Sequence, residues 1–286
     1  MDIRKVEFLI RTFRRPDELR TFMSKIGTIC QGLAEHGIKA SSIVVIDADL
    51  DGETGTYGVA KELGCETIVS YRNPQVTRIE MNPQLSMGFY GLLNAGMVAA
   101  AQNRVSEGAM GLEAFDDTIV LTISPETIAV TFEAVLRIVE TFNFDDNALA
   151  VGLSLIGGQA DTDGRRPGFQ PWNAGTAWRL GLFFKYVGGY ALMHEKLGWK
   201  VILPSGIPEE LSGTEDLGAF MRVYKSFPFL HVYILRSMPI PWKVAPVGAT
   251  DASGQNKMLR KDFAARAWAQ AVDVDVEAWM NWIIKI

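Results

Sequence analysis

The sequence predicts an α/β fold, with a mostly parallel sheet flanked by helices and a later part in which strands and helices mix. Three observations predict it. Short apolar runs lie at 6–10, 43–46, 67–70, 118–123 and 148–155, the length of buried strands. Helical stretches lie between most of them, and this βαβα alternation gives parallel strands with right-handed crossovers. The first two runs stop abruptly in chemically loaded residues, Thr12-Phe13-Arg14-Arg15-Pro16 and Asp47-Ala48-Asp49-Leu50-Asp51-Gly52. Ligands of open α/β sheets bind outside the carboxyl ends of the strands, so these endings mark a pocket.

The first helix opens with Pro16 at its first position, and Asp17 and Glu18 complement its dipole. Leu19, Phe22, Met23, Ile26, Cys30 and Leu33 then recur at helical spacing until Gly37. Strand two is expected at 42–46, a helix at 54–63 stopped by Gly64, and a third strand at 67–70. A polar connection with Arg72, Asn73, Pro74 and Arg78 leads to a Gly- and Ala-rich helix over 87–103. After the strand at 118–123, Ser124, Pro125 and Glu126 supply an N-cap, a first-turn proline and an early acid. The helix they open is expected to reach about Thr141.

Past the strand at 148–155, the stretch 157–175 is rich in Gly, Asp and Arg. So long a loop in a compact domain is usually functional or disordered, and Phe169 and Trp172 favour one that packs. Beyond it the expected elements are a strand at 176–179, a helix near 190–197 and a strand at 199–203. A helix at 214–224 and a strand at 231–235 follow. Residues 251–286 read as a helical tail carrying Trp268, Trp279 and Trp282.

Composition narrows the function. The 286 residues carry 28 Lys and Arg against 33 Asp and Glu, a net charge of −5 that argues against general nucleic-acid affinity. Cys30 and Cys65 read as reduced core thiols. Met1-Asp2-Ile3-Arg4-Lys5 leads straight into a strand with no secretory apolar segment, and no stretch approaches a membrane span. A cytoplasmic protein is expected.

Read in order, the segments from roughly residue 5 to residue 230 resemble a family 2-type glycosyltransferase with a GT-A fold. Thr12-Phe13-Arg14-Arg15-Pro16-Asp17-Glu18-Leu19 is similar to the family's opening Thr-Tyr-Asn-Arg-Pro-Glu-Glu-Leu. Val45-Ile46-Asp47-Ala48-Asp49-Leu50-Asp51-Gly52 resembles its Val-Asp-Asp-Gly-Ser-x-Asp-Gly. Leu93-Asn94-Ala95-Gly96 resembles its Arg-Asn-x-Gly. Trp178-Arg179 with Val187-Gly188-Gly189-Tyr190 resembles its acceptor-side strand and Gly-Gly-Phe turn. Glu215-Asp216, with Arg222 later, resembles its Glu-Asp element.

The resemblance implies a Rossmann-type nucleotide-binding half over 1–125 and an acceptor and catalytic half over 126–250. It implies inverting transfer from a nucleoside diphosphate sugar, UDP- or GDP-linked, to a hydroxyl acceptor. Thr12, Phe13, Arg14, Arg15, Asp47, Asp49 and Asn94 fall on the donor side, with Asp47 placed to accept from the N3–H of uracil. Trp172, Trp178, Gly188 and Gly189 fall on the acceptor side. Asp216 is the favoured general base and Glu215 its alternative, because a helix N-terminus favours the ionised carboxylate.

One departure matters. Where the family's next strand ends in an Asp-x-Asp motif holding Mg²⁺ or Mn²⁺, this chain has Leu121-Thr122-Ile123-Ser124. Hydroxyls are poor substitutes for carboxylates on a hard cation. Arg14, Arg15, Arg78, Arg165 or Arg166 would then stabilise the diphosphate without metal. Alternatively another acidic pair, Asp47 with Asp49 or Asp161 with Asp163, holds the Mn²⁺ or Mg²⁺. The third reading is a degenerate relative that binds a nucleotide or glycan, or scaffolds a complex, without catalysis. Nucleotidyl transfer also belongs among the alternatives, but it too needs acidic metal ligands.

Plainer roles stand beside these. Asp161-Thr162-Asp163 reads as a solvated turn, Arg14-Arg15 as a helix entrance and Glu215-Asp216 as helix-start stabilisation. His36 suits a helix C-terminus, and His194 stands alone. His231 opens a strand where some GT-A enzymes place a metal ligand, yet it reads as a core or surface histidine. Trp172 and Phe169 suit either an acceptor sugar or loop anchoring. The tail tryptophans suggest packing or a subunit contact, hence a homo-oligomer through the tail.

Overall fold

A computed structural model describes residues 1–12, 15–46, 55–70, 89–156, 175–190, 200–202, 208–210, 215–241, 269–270 and 273–286. The first half runs β1 (Lys5–Thr12), α1 (Pro16–Glu35), β2 (Lys39–Ile46), α2 (Thr56–Glu62), β3 (Thr67–Ser70), α3 (Phe89–Ser106) and β4 (Thr118–Ile123). The second runs α4 (Phe132–Phe144), β5 (Ala148–Ile156), β6 (Thr176–Arg179), α5 (Leu180–Leu182), β7 (Lys200–Ile202), β8 (Pro208–Glu210), α6 (Glu215–Ser226), β9 (His231–Pro241), α7 (Val276–Trp282) and β10 (Ile284–Lys285).

Among the described residues eight strands form one sheet, in the order β10-β9-β5-β6-β4-β1-β2-β3. β1 pairs in parallel with β2 and β4, and β3 extends the parallel set beyond β2. β6 alone is antiparallel, wedged between β4 and β5. The parallel α/β expectation therefore holds, with one reversed strand marking the mixed second part.

Both faces of the sheet are covered, which is why its central strands are continuously apolar. Phe8, Ile10, Val44, Ile46, Ile119, Leu121 and Ile123 face α1 and α4, joined by Leu19, Phe22, Ile26, Val135 and Phe142. Leu9, Ile43, Val45, Val120 and Trp178 face the other way, toward α3, α6 and α7 with Met97, Phe220 and Trp279. Burying each such side chain contributes about 1.5–3 kcal/mol. Gly96 lets α3 approach, since a Cβ there would lie 2.7 Å from Leu9 Cδ1.

Several elements differ from expectation. The helix expected from Pro125 to about Thr141 is split into a 3₁₀ turn, Pro125–Thr127, and α4. Thr131 supplies the second start, its Oγ1 accepting from the Ala134 amide at 3.2 Å. An unexpected helical segment follows β6, where α5 runs into a π-turn, Phe183–Val187. The helix expected near 190–197 lies outside the described residues apart from Tyr190. β8 pairs antiparallel with β7 in a separate ribbon, and β9 runs past Leu235 to Pro241.

The end of the tail is not helical throughout. After α7, β10 adds in parallel to β9 at the sheet edge. Trp279 is fully buried and Trp282 Nε1 donates to the Leu230 carbonyl at 3.1 Å, so both tryptophans pack within the chain. Trp268 lies outside the described residues. No described helix is long and apolar enough to cross a membrane.

Candidate functional site

The parallel register brings the carboxyl ends of β1, β2 and β4 to one edge. Thr12 pairs with Ile46, and Ile10 with Ile123, so Thr12 and Ser124 reach that edge on adjacent strands. Both are nearly inaccessible, at 2% and 7% exposure, and neither hydroxyl has a hydrogen-bond partner. An unsatisfied buried polar group costs about 1–3 kcal/mol. Ser124 and Thr127 stand in capping-box position, and the Thr127 amide donates to the Ser124 carbonyl at 2.8 Å. Arg15 sits at the N-cap of α1 on the same edge, just before Pro16.

Beside β4 stands a glycine turn. Gly188 ends the π-turn with φ +73°, and Gly189 follows at +157°, both conformations that disfavour side chains. Asn94 Oδ1, from α3, accepts from the Tyr190 amide at 2.8 Å, and a Cβ on Gly189 would lie 3.3 Å from that oxygen. From α6, Arg222 Nη2 donates to the Gly189 carbonyl at 3.2 Å and toward that of Val187 at 3.4 Å. Burial pulls the Arg222 pKa below its ordinary value. Tyr190 then turns its hydroxyl to Thr122 Oγ1, 3.2 Å away.

Three of the segments singled out in the sequence thus meet on one turn: Asn94-Ala95-Gly96, Gly188-Gly189-Tyr190 and the α6 segment with Arg222. Glu215 and Asp216 are the first two residues of α6, two turns before Arg222. Trp178 takes a supporting place. It is fully buried, stacked on Phe220 at 4.7 Å between centroids with Phe183 and Tyr190 edge-on, so it backs the turn from the core and presents no open face to an acceptor.

Phe13, Arg14, Asp47, Asp49, Asp161, Asp163 and Trp172 lie outside the described residues, as do Arg78, Arg165, Arg166, Phe169 and His194. His231 lies at the opposite edge of the sheet, where it opens β9 beside Ala148. Its Nδ1 is 2.7 Å from Asp145 Oδ2, which also accepts from Tyr233 Oη at 2.8 Å. His36 is the C-cap of α1. Cys30 and Cys65 are free and half-buried, and burial pushes the Cys30 thiol up to about 11.

The Thr122–Tyr190 hydroxyl pair escaped sequence reasoning, and Arg222 was noticed only as part of a motif. The available signal was the aromatic residue directly after Gly-Gly. For a hard divalent cation the β4 end fits badly: Thr122 Oγ1 is engaged with Tyr190, and Ser124 brings a neutral hydroxyl. Among the described residues no group of three or more His, Cys, Asp or Glu side chains is arranged to hold a metal.

No protein-family model matches the chain, and no functionally curated protein is similar to it in sequence. Solved structures are similar to it in fold. Glucosyl-3-phosphoglycerate synthase from Mycobacterium tuberculosis, in complex with Mn²⁺ and UDP-glucose, superposes with a TM-score of 0.56 at 13% identity, covering 95% of this chain and 80% of that one. The same enzyme with Mn²⁺, UDP and phosphoglyceric acid gives 0.56 at 12% identity over the same shares. Mannosyl-3-phosphoglycerate synthase from Rubrobacter xylanophilus gives 0.54 at 14% identity, covering 93% of this chain and 73% of that one. The fold is GT-A. In this GT-A sheet the glycine turn, Asn94, Arg222 and the β4 end stand together at the carboxyl edge.

Proposed function

We propose that the protein is a glycosyltransferase that moves a sugar from a nucleoside diphosphate sugar to a hydroxyl acceptor with inversion. The observation that carries this reading is the convergence of Asn94 and Arg222 on the Gly188–Gly189–Tyr190 turn, beside the strand ends where α/β sheets bind ligands. The unpartnered Thr12 hydroxyl and Arg15 at the N-terminus of a long helix support a donor site there, since such a helix end attracts phosphate. Glucosyl-3-phosphoglycerate synthase is seen in complex with UDP-glucose and with phosphoglyceric acid, so a UDP-sugar and a small phosphorylated hydroxy acid are the first pair to test.

In this reading Asp216 takes the acceptor proton as the new bond to the anomeric carbon forms, and Glu215 is its alternative. Arg222 ties the helix that carries both to the turn. Donor-side roles for Phe13, Arg14, Arg15, Asp47, Asp49 and Asn94 belong to the same proposal, as does an acceptor role for Trp172. For Asn94 the role is indirect, through the turn it holds. The test is product formation from a panel of UDP- and GDP-sugars with phosphoglycerate and other hydroxyl acceptors. Transfer that Asp216→Asn removes supports the assignment; transfer that survives it unchanged excludes Asp216 as the base. Nucleotide binding with no transfer to any acceptor would favour the degenerate, binding-only alternative.

A further inference from the structure

The end of the β4 strand carries hydroxyls, Thr122 and Ser124. Ser124 and Thr122 lie on the same side of an extended strand, since side chains two apart share a face, and Thr122 there meets Tyr190. Ser124 Oγ is buried with no partner, although the residue's amide is bound to Thr127 Oγ1 at 3.2 Å and its carbonyl to the Thr127 amide at 2.8 Å. On the adjacent strand Thr12 Oγ1 is likewise buried and unpartnered. The two hydroxyls end neighbouring strands but face opposite sides of the sheet, Thr12 the α1 side with Ile10 and Ser124 the α3 and α6 side with Thr122.

Chemistry separates the alternatives. A carboxylate at this place repels a diphosphate unless a dication bridges them, because both are anionic. A hydroxyl carries no charge and donates directly to a phosphate oxygen, an acceptor it otherwise lacks here. The negative charge of the diphosphate is then met by Arg15 and the N-terminus of α1 rather than by a metal. We propose that the Ser124 hydroxyl donates directly to the diphosphate of the donor and that no divalent cation at β4 is required. This rests on the sugar-nucleotide reading above.

The experiment is calorimetric titration of the full chain with UDP and with GDP, once in EDTA and once in MnCl₂. The proposal expects one nucleotide to bind with a Kd that differs by less than about twofold between the two buffers. It expects Ser124→Ala to weaken that binding about tenfold in both, the loss of one charge-assisted hydrogen bond. Ser124→Asp should abolish binding in EDTA and regain it with Mn²⁺. Wild-type binding seen only with Mn²⁺ overturns the metal-free contact and leaves the glycosyltransferase reading standing. Unchanged affinity in a folded Ser124→Ala variant overturns the Ser124 contact in the same way. No binding of either nucleotide in either buffer removes the sugar-nucleotide reading, and this inference with it.

Discussion

The two edges of the sheet solve the polar-group problem in opposite ways. At the amino edge, charges are matched with charges. Lys5 Nζ lies 2.9 Å from Glu7 and 2.6 Å from Glu107, and Glu7 also accepts from Ser41 and Asn103. Arg104 grips Asp117 with two hydrogen bonds, and Arg179 donates to the carbonyls of Asp116, Phe142 and Asp145. The Arg104 and Arg179 Nε atoms lack partners, but each belongs to a guanidinium bonded elsewhere. Asp116 Oδ1 is a true orphan, and burial raises the pKa of its carboxyl.

At the carboxyl edge the unpartnered groups are whole side-chain functions. Thr12 and Ser124 each have one polar side-chain atom, and it bonds to nothing. Unsatisfied groups grouped where a fold binds ligands point to function, whereas a network of matched charges points to stability. The amino edge is braced by its own charges, and the carboxyl edge holds the candidate site.

Substitutions on each edge can break this contrast. The largest effect is expected for Asp216→Asn, which should lower kcat by about a hundredfold or more, the usual contribution of a general base, with little change in Tm. Product release from a UDP-sugar measures it; an equal loss of Tm would mean the residue acts structurally. At the amino edge Lys5→Met leaves Glu7 buried beside fewer partners and should cost about 3 kcal/mol in urea unfolding. Transfer per folded molecule should be unchanged.

Asn94→Ala lies between the extremes. It removes the acceptor of the Tyr190 amide and should cost about 1–2 kcal/mol while also lowering transfer, because the turn it holds lines the site. Loss of stability with full activity would uncouple the turn from function. The smallest effect belongs to Tyr233→Phe. Burial acts upward on Asp145, but the hydrogen bonds from His231, Tyr233 and the Asn147 amide outweigh it and hold its pKa below the ordinary value. That stabilisation is present in full above the unfolded-state pKa of about 4 and is lost as pH falls through the lower folded value. Removing the Tyr233 hydroxyl should cost about 1 kcal/mol at neutral pH and raise the acid-unfolding midpoint.

The same contrast explains what was legible in the sequence. β1, α1 and β2 follow from local pattern: apolar runs at strand length, Pro16 with two acids, and a helical repeat of Leu19, Phe22 and Ile26. The segment Leu180–Val187 defeated pattern reading, because it is an apolar run interrupted only by the exposed Lys185, and its Phe183 packs against Trp178 and Tyr190 outside it. The far end of β9 was hidden by Pro239 and Pro241, which argue against an interior strand. They fit because β10 pairs only with Tyr233 and Ile234, leaving the proline-bearing end against β5 alone among the described strands.

The candidate site divides along the same line. Asn94, Gly188, Gly189, Glu215 and Asp216 were visible as short motifs, yet nothing local linked Asn94 to a turn almost a hundred residues later, or Tyr190 to Thr122. The orphaned state of Ser124 was equally invisible, since in sequence Ser-Pro-Glu reads as an ordinary helix cap.

Hydrogen exchange measured with and without UDP tests the contrast between the edges most directly. The account predicts new protection in peptides covering 8–12, 122–127 and 187–190, and none in those covering 145–150 and 231–234. Protection confined to the second pair, at the amino edge, would contradict it.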